Sequence, residues 1–213
     1  MTMARTYGDP CAAARALELI GERWALMIVR ELLFGPKRFS DLQSGLPNAS
    51  PTVLTQRLRD LEGAGVIQRR KLGPPTRARV YELTEWGHRL EPILVHLGRW
   101  GRRTPIRQTA MTLGTDSLML ALQSHLEPAR LDGLDATFRV DLGEDIFSIH
   151  IADGDVTIQR GEPARWGAAI RTDTASFKAL VIEGCSASEL GDRLEVTGDR
   201  KPLRRLLNAL TTE

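Results

Sequence analysis

Only two cysteines occur in 213 residues, Cys11 and Cys185, and no C-x-x-C pair exists, which excludes a disulfide framework and a cysteine-based metal knuckle. No apolar run is long enough to span a bilayer, and the polar stretch 1–10 carries no signal-peptide pattern. A cytoplasmic protein with no membrane partner is therefore expected. The four histidines, His88, His96, His125 and His150, form neither an H-E-x-x-H motif nor a pairing with cysteine that suits a metal. G-x-S-x-G, G-x-G-x-x-G and P-loop signatures are missing too, so no cofactor is called for and the chain is not expected to be an enzyme.

What is present is an ordinary globular composition, 42% hydrophobic and 26% charged, distributed unevenly. Residues 1–107 hold 18 Lys+Arg against 10 Asp+Glu, a net +8, whereas residues 108–213 hold 11 against 17, a net −6. A basic half followed by an acidic half predicts two domains, 1–107 and 108–213, of which only the first approaches a polyanion. The linker is placed between Pro105 and Leu113.

In the basic half, Ala13, Leu17 and Ile20 recur at helical spacing over 10–20, with Asp9 as cap and Pro10 in the first turn,. A second helix over 23–33 carries Trp24, Ile28 and Leu32 and is stopped by Gly35-Pro36,. Two more follow at 39–45 and 51–62, the latter capped by Ser50 with Pro51 at its first position,. At 100° per residue Leu54, Leu58 and Leu61 turn inward, while Thr52, Gln56 and Arg59 turn outward with Thr55 beside them,. That outward face is polar and nearly free of acid, as a helix entering a DNA groove requires. Two strands, 66–72 and 79–84, flank Gly73-Pro74-Pro75-Thr76 and form a hairpin bordered by Arg69, Arg70, Lys71, Arg77 and Arg79,. A helix over 85–100, bent at Pro92, then presents Leu90, Ile93, Leu94, Leu97 and Trp100 as a stripe wider than a small monomer can cover,. Trp24, Trp86 and Trp100 are read as core or interface anchors,.

This order is that of a winged helix-turn-helix. Ser50, Thr52, Thr55, Gln56 and Arg59 are the candidate groove residues, the five wing cations the candidate phosphate contacts, and the stripe 90–100 the candidate dimer element,. Cys11, Leu19-Ile20-Gly21-Glu22-Arg23-Trp24, Arg30-Glu31-Leu32, Gly35-Pro36-Lys37-Arg38-Phe39-Ser40-Asp41-Leu42, Ser50-Pro51, Leu58-Arg59-Asp60-Leu61-Glu62 and Tyr81-Glu82-Leu83-Thr84 occur in this order. In these motifs, spread over residues 7–103, the chain resembles the HxlR branch of MarR-like regulators. The resemblance implies a homodimeric repressor or activator on an inverted repeat of double-stranded DNA. It also makes Cys11 a candidate sensor of oxidants or electrophiles; the alternative is a small hydrophobe packed in the first helix. A first-turn position would lower the thiol pKa, with Arg15 assisting and Asp9 opposing.

The acidic half reads as α+β: a helix near 116–126, strands near 136–142, 146–151 and 156–160 with a turn at Gly154, helices near 174–182, 186–191 and 202–210, and a strand at 194–197,. The run Phe147-Ser148-Ile149-His150-Ile151-Ala152-Asp153-Gly154 and the closing Val196-Thr197-Gly198-Asp199 are similar to sterol carrier protein-like domains. That likeness implies a cavity for a small apolar ligand, roofed by the helices over Phe138, Val140, Leu142, Ile146, Phe147, Ile149 and Ile151; the alternative is a filled core. The expected function is a DNA-binding transcription regulator controlled by such a ligand or by thiol modification. The rival is a small-molecule carrier whose helix-turn-helix serves dimerisation.

Overall fold

The computed structural model describes residues 6–74, 76–105 and 113–210. The chain forms two compact units, 1–94 and 95–213. The linker placed between Pro105 and Leu113 lies outside the described residues, as does Pro75 of the wing tip.

The first unit contains α1 (Ala12–Ile20), α2 (Ala25–Leu32), α3 (Phe39–Gly45), α4 (Pro51–Gly63), β1 (Ile67–Lys71), β2 (Arg79–Leu83), α5 (Glu85–His88) and the start of α6 (Glu91–Gly101). Its core gathers Ile28 and Leu32 of α2, Leu42 of α3 with Leu46 after it, Leu54, Leu58 and Leu61 of α4, and Ile67 of β1,. The helix expected over 85–100 is in fact two. Pro92 has no N–H to give the His88 carbonyl, so the turn at Arg89 and Leu90 is left out of the helical ladder,. A bend was expected there; a break is found. The first helix is also shorter at its start, with Cys11 at the cap position and the Asp9 carboxylate accepting from the Cys11 N–H at 2.8 Å.

In the second unit, the last turns of α6 pack on α7 (Thr115–His125): Gly98, bare of side chain, lies against Ser124, and the Arg99 guanidinium donates to the Leu126 carbonyl at 2.9 Å. There follow β3 (Ala136–Leu142), β4 (Asp145–Ala152), β5 (Asp155–Arg160), β6 (Ala168–Arg171), α8 (Thr174–Val181), α9 (Ala187–Leu190), β7 (Glu195–Gly198) and α10 (Arg200–Leu210). The sheet order is β5-β4-β3-β6-β7, antiparallel except for the β3–β6 pair. Asp153 and Gly154 both take positive φ, 52° and 81°, which matches the twist of the β4–β5 hairpin,.

Register decides which side chains face the helices. Phe138 pairs with Ile149 and Val140 with Phe147, and these residues are buried with Ile151, Ile158 and Ile170 beneath Leu118, Leu122, Phe177, Leu203 and Leu206. Ile146, expected on this face, pairs with Asp141 and turns to the other side, because strand neighbours alternate,. The outer face is polar: Asp141 receives Arg139 and Arg171, which also reach Glu162 and Glu195.

Candidate nucleic-acid interface

The helix-turn-helix is assembled by local rules. Ser50 Oγ accepts from the Val53 N–H at 3.3 Å and Pro51 sits in the first turn, so α4 starts where its free N–H groups can be capped,. Gly65 ends the segment with φ 73°, allowing the Val66 N–H to return to the Leu61 carbonyl at 2.9 Å,. Gln43 closes the turn between α3 and α4 by donating to the Ala49 carbonyl at 2.8 Å.

A buried ion cluster fixes the wing. Glu31, 3% exposed, receives Arg30 at 2.5 Å and Lys37 at 2.6 Å. Burial alone would push the Glu31 carboxyl up, but the charges and hydrogen bonds of Arg30 and Lys37 outweigh it and hold the group below its ordinary value,. Lys37 also exchanges both backbone hydrogen bonds with Tyr81, at 2.9 and 2.8 Å, so the segment before α3 adds a bridge to β2. At the other end of the wing, Thr84 Oγ1 donates to Gly65 O at 2.7 Å and accepts from the Gly87 N–H at 3.0 Å. Gly87 has no room for a Cβ against the Val66 carbonyl.

Of the outward residues of α4, Thr52, Gln56 and Arg59 are exposed and Thr55 is half-buried. The face is less free of acid than expected. Asp60, one turn beyond Gln56, is exposed and accepts from Gln56 Nε2 at 2.8 Å, and it pairs with Arg57 at 2.8 Å,. Val53 is a residue the sequence reading passed over: it is an apolar side chain 38% exposed on the outward side of α4. Its only sequence signal was an apolar residue outside the inward stripe.

The five wing cations divide into two groups. Arg69 pairs with Glu62 at 2.9 Å and lies over the Tyr81 ring, and Arg70 pairs with Glu82 at 2.8 Å. Lys71, Arg77 and Arg79 are exposed and, among the described residues, have no carboxylate partner. Arg77 holds φ 43°, a left-handed value rare for a residue with a side chain, at the turn where its N–H donates to the Gly73 carbonyl,.

Residues read as dimer contacts sort by burial. Leu94 is only 5% exposed and belongs to the core, a correction to the expected stripe. Leu90 is half-buried, while Ile93, Leu97 and Trp100 are exposed, Trp100 by 71%. Helix α1 buries none of its residues. Its Ala16, Leu19 and Ile20 line an apolar groove of about 200 Å³ with Val66, Trp86, Leu90 and Ile93. Cys11 is exposed, and the free backbone N–H groups of Ala13 and Ala14 at the start of α1 hold its thiol below the ordinary value,.

Residues 19–108 match the model of the HxlR-like helix-turn-helix family. YvaP of Bacillus subtilis, an uncharacterized HTH-type transcriptional regulator, is 41% identical over 87 residues, 40% of this chain and 80% of that protein. The chain belongs to the HxlR-like helix-turn-helix family. This HxlR-like protein is also 44% identical over 85 residues to the B. subtilis regulator YtcD, covering 40% of this chain and 68% of the relative. Among solved structures it is similar to the reduced form of the transcriptional regulator YodB from B. subtilis, at 31% identity and a TM-score of 0.40 over 44% of this chain and 92% of that one. Family membership makes it a MarR-like winged-helix regulator of transcription that binds DNA. Among the described residues no group suited to a metal ion occurs, and no helix is long and apolar enough to cross a membrane.

Proposed function

We propose that this HxlR-like protein is a cytoplasmic, non-enzymatic regulator that binds an inverted repeat of double-stranded DNA as a homodimer. Helix α4 enters the major groove with Thr52, Gln56 and Arg59 toward base edges, Thr55 at the side and Ser50 near the backbone, while Val53 offers an apolar contact to a thymine methyl,. The wing contacts phosphate. The observation that carries this reading is the trio Lys71, Arg77 and Arg79, exposed and without carboxylate partners among the described residues, on a hairpin packed against α4,.

A second copy is the natural cover for the groove between α1, Leu90 and Ile93, and for Leu97 and Trp100 further along α6, since exposed apolar surface of this kind marks an interface,. Operator symmetry then follows protein symmetry. Two controls on DNA affinity belong to the proposal. One is modification of the Cys11 thiol. The other is a small, partly apolar ligand in the C-terminal unit, which alters affinity only if it binds the DNA-competent and DNA-incompetent arrangements unequally.

A gel shift against the DNA upstream of the protein's own gene tests the reading. Salt-sensitive, competitor-resistant binding is expected, with base preference altered by Gln56→Ala and Arg59→Ala. No binding above that to random DNA would favour the carrier alternative, in which the helix-turn-helix serves dimerisation.

A further inference from the structure

The C-terminal unit carries a pocket of about 310 Å³ that takes none of its walls from the inner-face residues Phe138, Phe147 or Ile149. It lies at the β7 edge of the sheet, between α10 and the segment that follows α8. Leu180, Leu194, Val196, Leu203 and Leu207 supply the apolar walls. Arg200, Arg204 and Asn208, spaced four residues apart and hence stacked along one side of α10, supply the polar rim,. The charge of that rim is one-sided. Arg200 and Arg204 are the charged residues of the pocket's lining, both exposed and, among the described residues, meeting no carboxylate. Asp199 accepts from the Lys201 N–H at 2.9 Å and Glu189 accepts from the Ser186 N–H and hydroxyl at 2.6 and 2.8 Å. Cys185 stands in the wall, half-buried.

We infer that this pocket binds a small amphipathic monoanion, its apolar body on the leucines and its carboxylate at Arg200 and Arg204. The volume holds on the order of ten non-hydrogen atoms at about 30 Å³ each, the lower end of the range for ligand pockets. Two guanidiniums one helical turn apart offer charge-assisted, forked hydrogen bonds to a carboxylate, which an alcohol or amine cannot match. The assignment names the ligand class and site for the effector role of the C-terminal unit, and for its regulatory meaning it rests on that reading. Binding itself is measured without DNA, so the two fail separately.

Octanoate and octylamine below their micelle concentrations, and octanol below its solubility limit, are titrated calorimetrically into the full-length protein. Octanoate is expected to bind at least tenfold more tightly than octanol, and octylamine not at all. The double variant Arg200→Gln/Arg204→Gln should lose tenfold or more in octanoate affinity, and Leu207→Trp, which fills the pocket from its half-buried wall, should abolish binding. In a Cys11→Ser background, octanoate should slow labelling of Cys185 by a soluble thiol reagent. Equal affinity for octanoate and octanol, an unchanged double variant, or no heat of binding with Cys185 labelling unaltered would each overturn the assignment.

Discussion

The sheet of the C-terminal unit and the helices of the N-terminal unit differ in how far their apolar and charged side chains are covered. The C-terminal sheet is covered on both faces: Phe138, Phe147 and Phe177 are fully buried, and the cations of its outer face, Arg139 and Arg171, share Asp141 and reach further carboxylates, so that what stays open in that unit lies off the sheet faces, in the pocket at β7 and at Leu97 and Trp100 of α6. The N-terminal unit leaves more groups open, with an α1 that has no fully buried residue, a Trp86 half exposed, and three wing cations that meet no carboxylate among the described residues. Its open groups are of two kinds, apolar and cationic, and the proposal gives each kind a partner: a second copy for the first and DNA phosphate for the second. Function in this chain is read from what the fold leaves incomplete.

The largest effect that would sharpen this contrast comes from the covered sheet. Phe147→Ala should remove about 3–5 kcal/mol from unfolding stability, the cost of emptying a buried aromatic site, and leave the oligomeric state unchanged by light scattering. A dissociated Phe147→Ala protein would show that the C-terminal core also shapes the interface. Next in size is Ile93→Asp, which puts a charge into the groove beside α1. A rise of about a hundredfold in dimer dissociation constant, roughly 2.7 kcal/mol, is expected by sedimentation equilibrium. If the variant stays dimeric at the wild-type concentration, the groove is not the interface.

Within the wing the contrast repeats on a smaller scale. Arg77→Ala and Arg79→Ala should each lower the log-log salt slope of DNA binding by about 0.9 per lost phosphate contact. Arg69→Ala and Arg70→Ala, whose cations are already held by Glu62 and Glu82, should change it less. Equal changes for all four would mean that these ion pairs open on DNA. The smallest effect concerns Cys11. Because its pKa is held below the ordinary thiol value by the N–H groups of Ala13 and Ala14, the thiolate persists to lower pH. Its alkylation rate should therefore reach half-maximum below the pH at which an unstructured cysteine peptide does, about 8.5, and only that phase should vanish in Cys11→Ser. A half-maximum at or above that of the peptide would remove the electrostatic basis for a sensor.

Legibility in the sequence followed the range of the interactions. The helix-turn-helix was readable because its signals are local: the Ser50-Pro51 cap, the stripe Leu54, Leu58 and Leu61, and Gly65 at the end of α4. The hairpin and its cations were readable for the same reason. Strand β6 was missed. Its four residues, Ala168–Arg171, are too short to show a period, and they are a strand only because β3 and β7 pair with them from distant positions. Spacing alone could not show that Arg69 and Arg70 meet acids while, among the described residues, Arg77 and Arg79 do not, because the partners lie on α4 and β2. Asp60 was visible at its place on the α4 wheel, yet its effect on Gln56 came from side-chain conformation. The expectation was a cavity between the strands and the helices over them, with a filled core as the alternative; among the described residues Phe138, Phe147 and Ile149 are buried as a core, and a pocket lies at β7, whose position depends on β6.

One measurement separates an incomplete, dimer-forming DNA reader from any other use of this fold. The full-length protein is offered a random-sequence duplex pool, and the bound DNA is amplified and sequenced over successive rounds at fixed salt. The expected product is an inverted repeat whose half-site centres lie about one helical turn, roughly 34 Å, apart, bound by two chains per site. A pool that stays random, or an enriched single half-site bound by one chain, would contradict it.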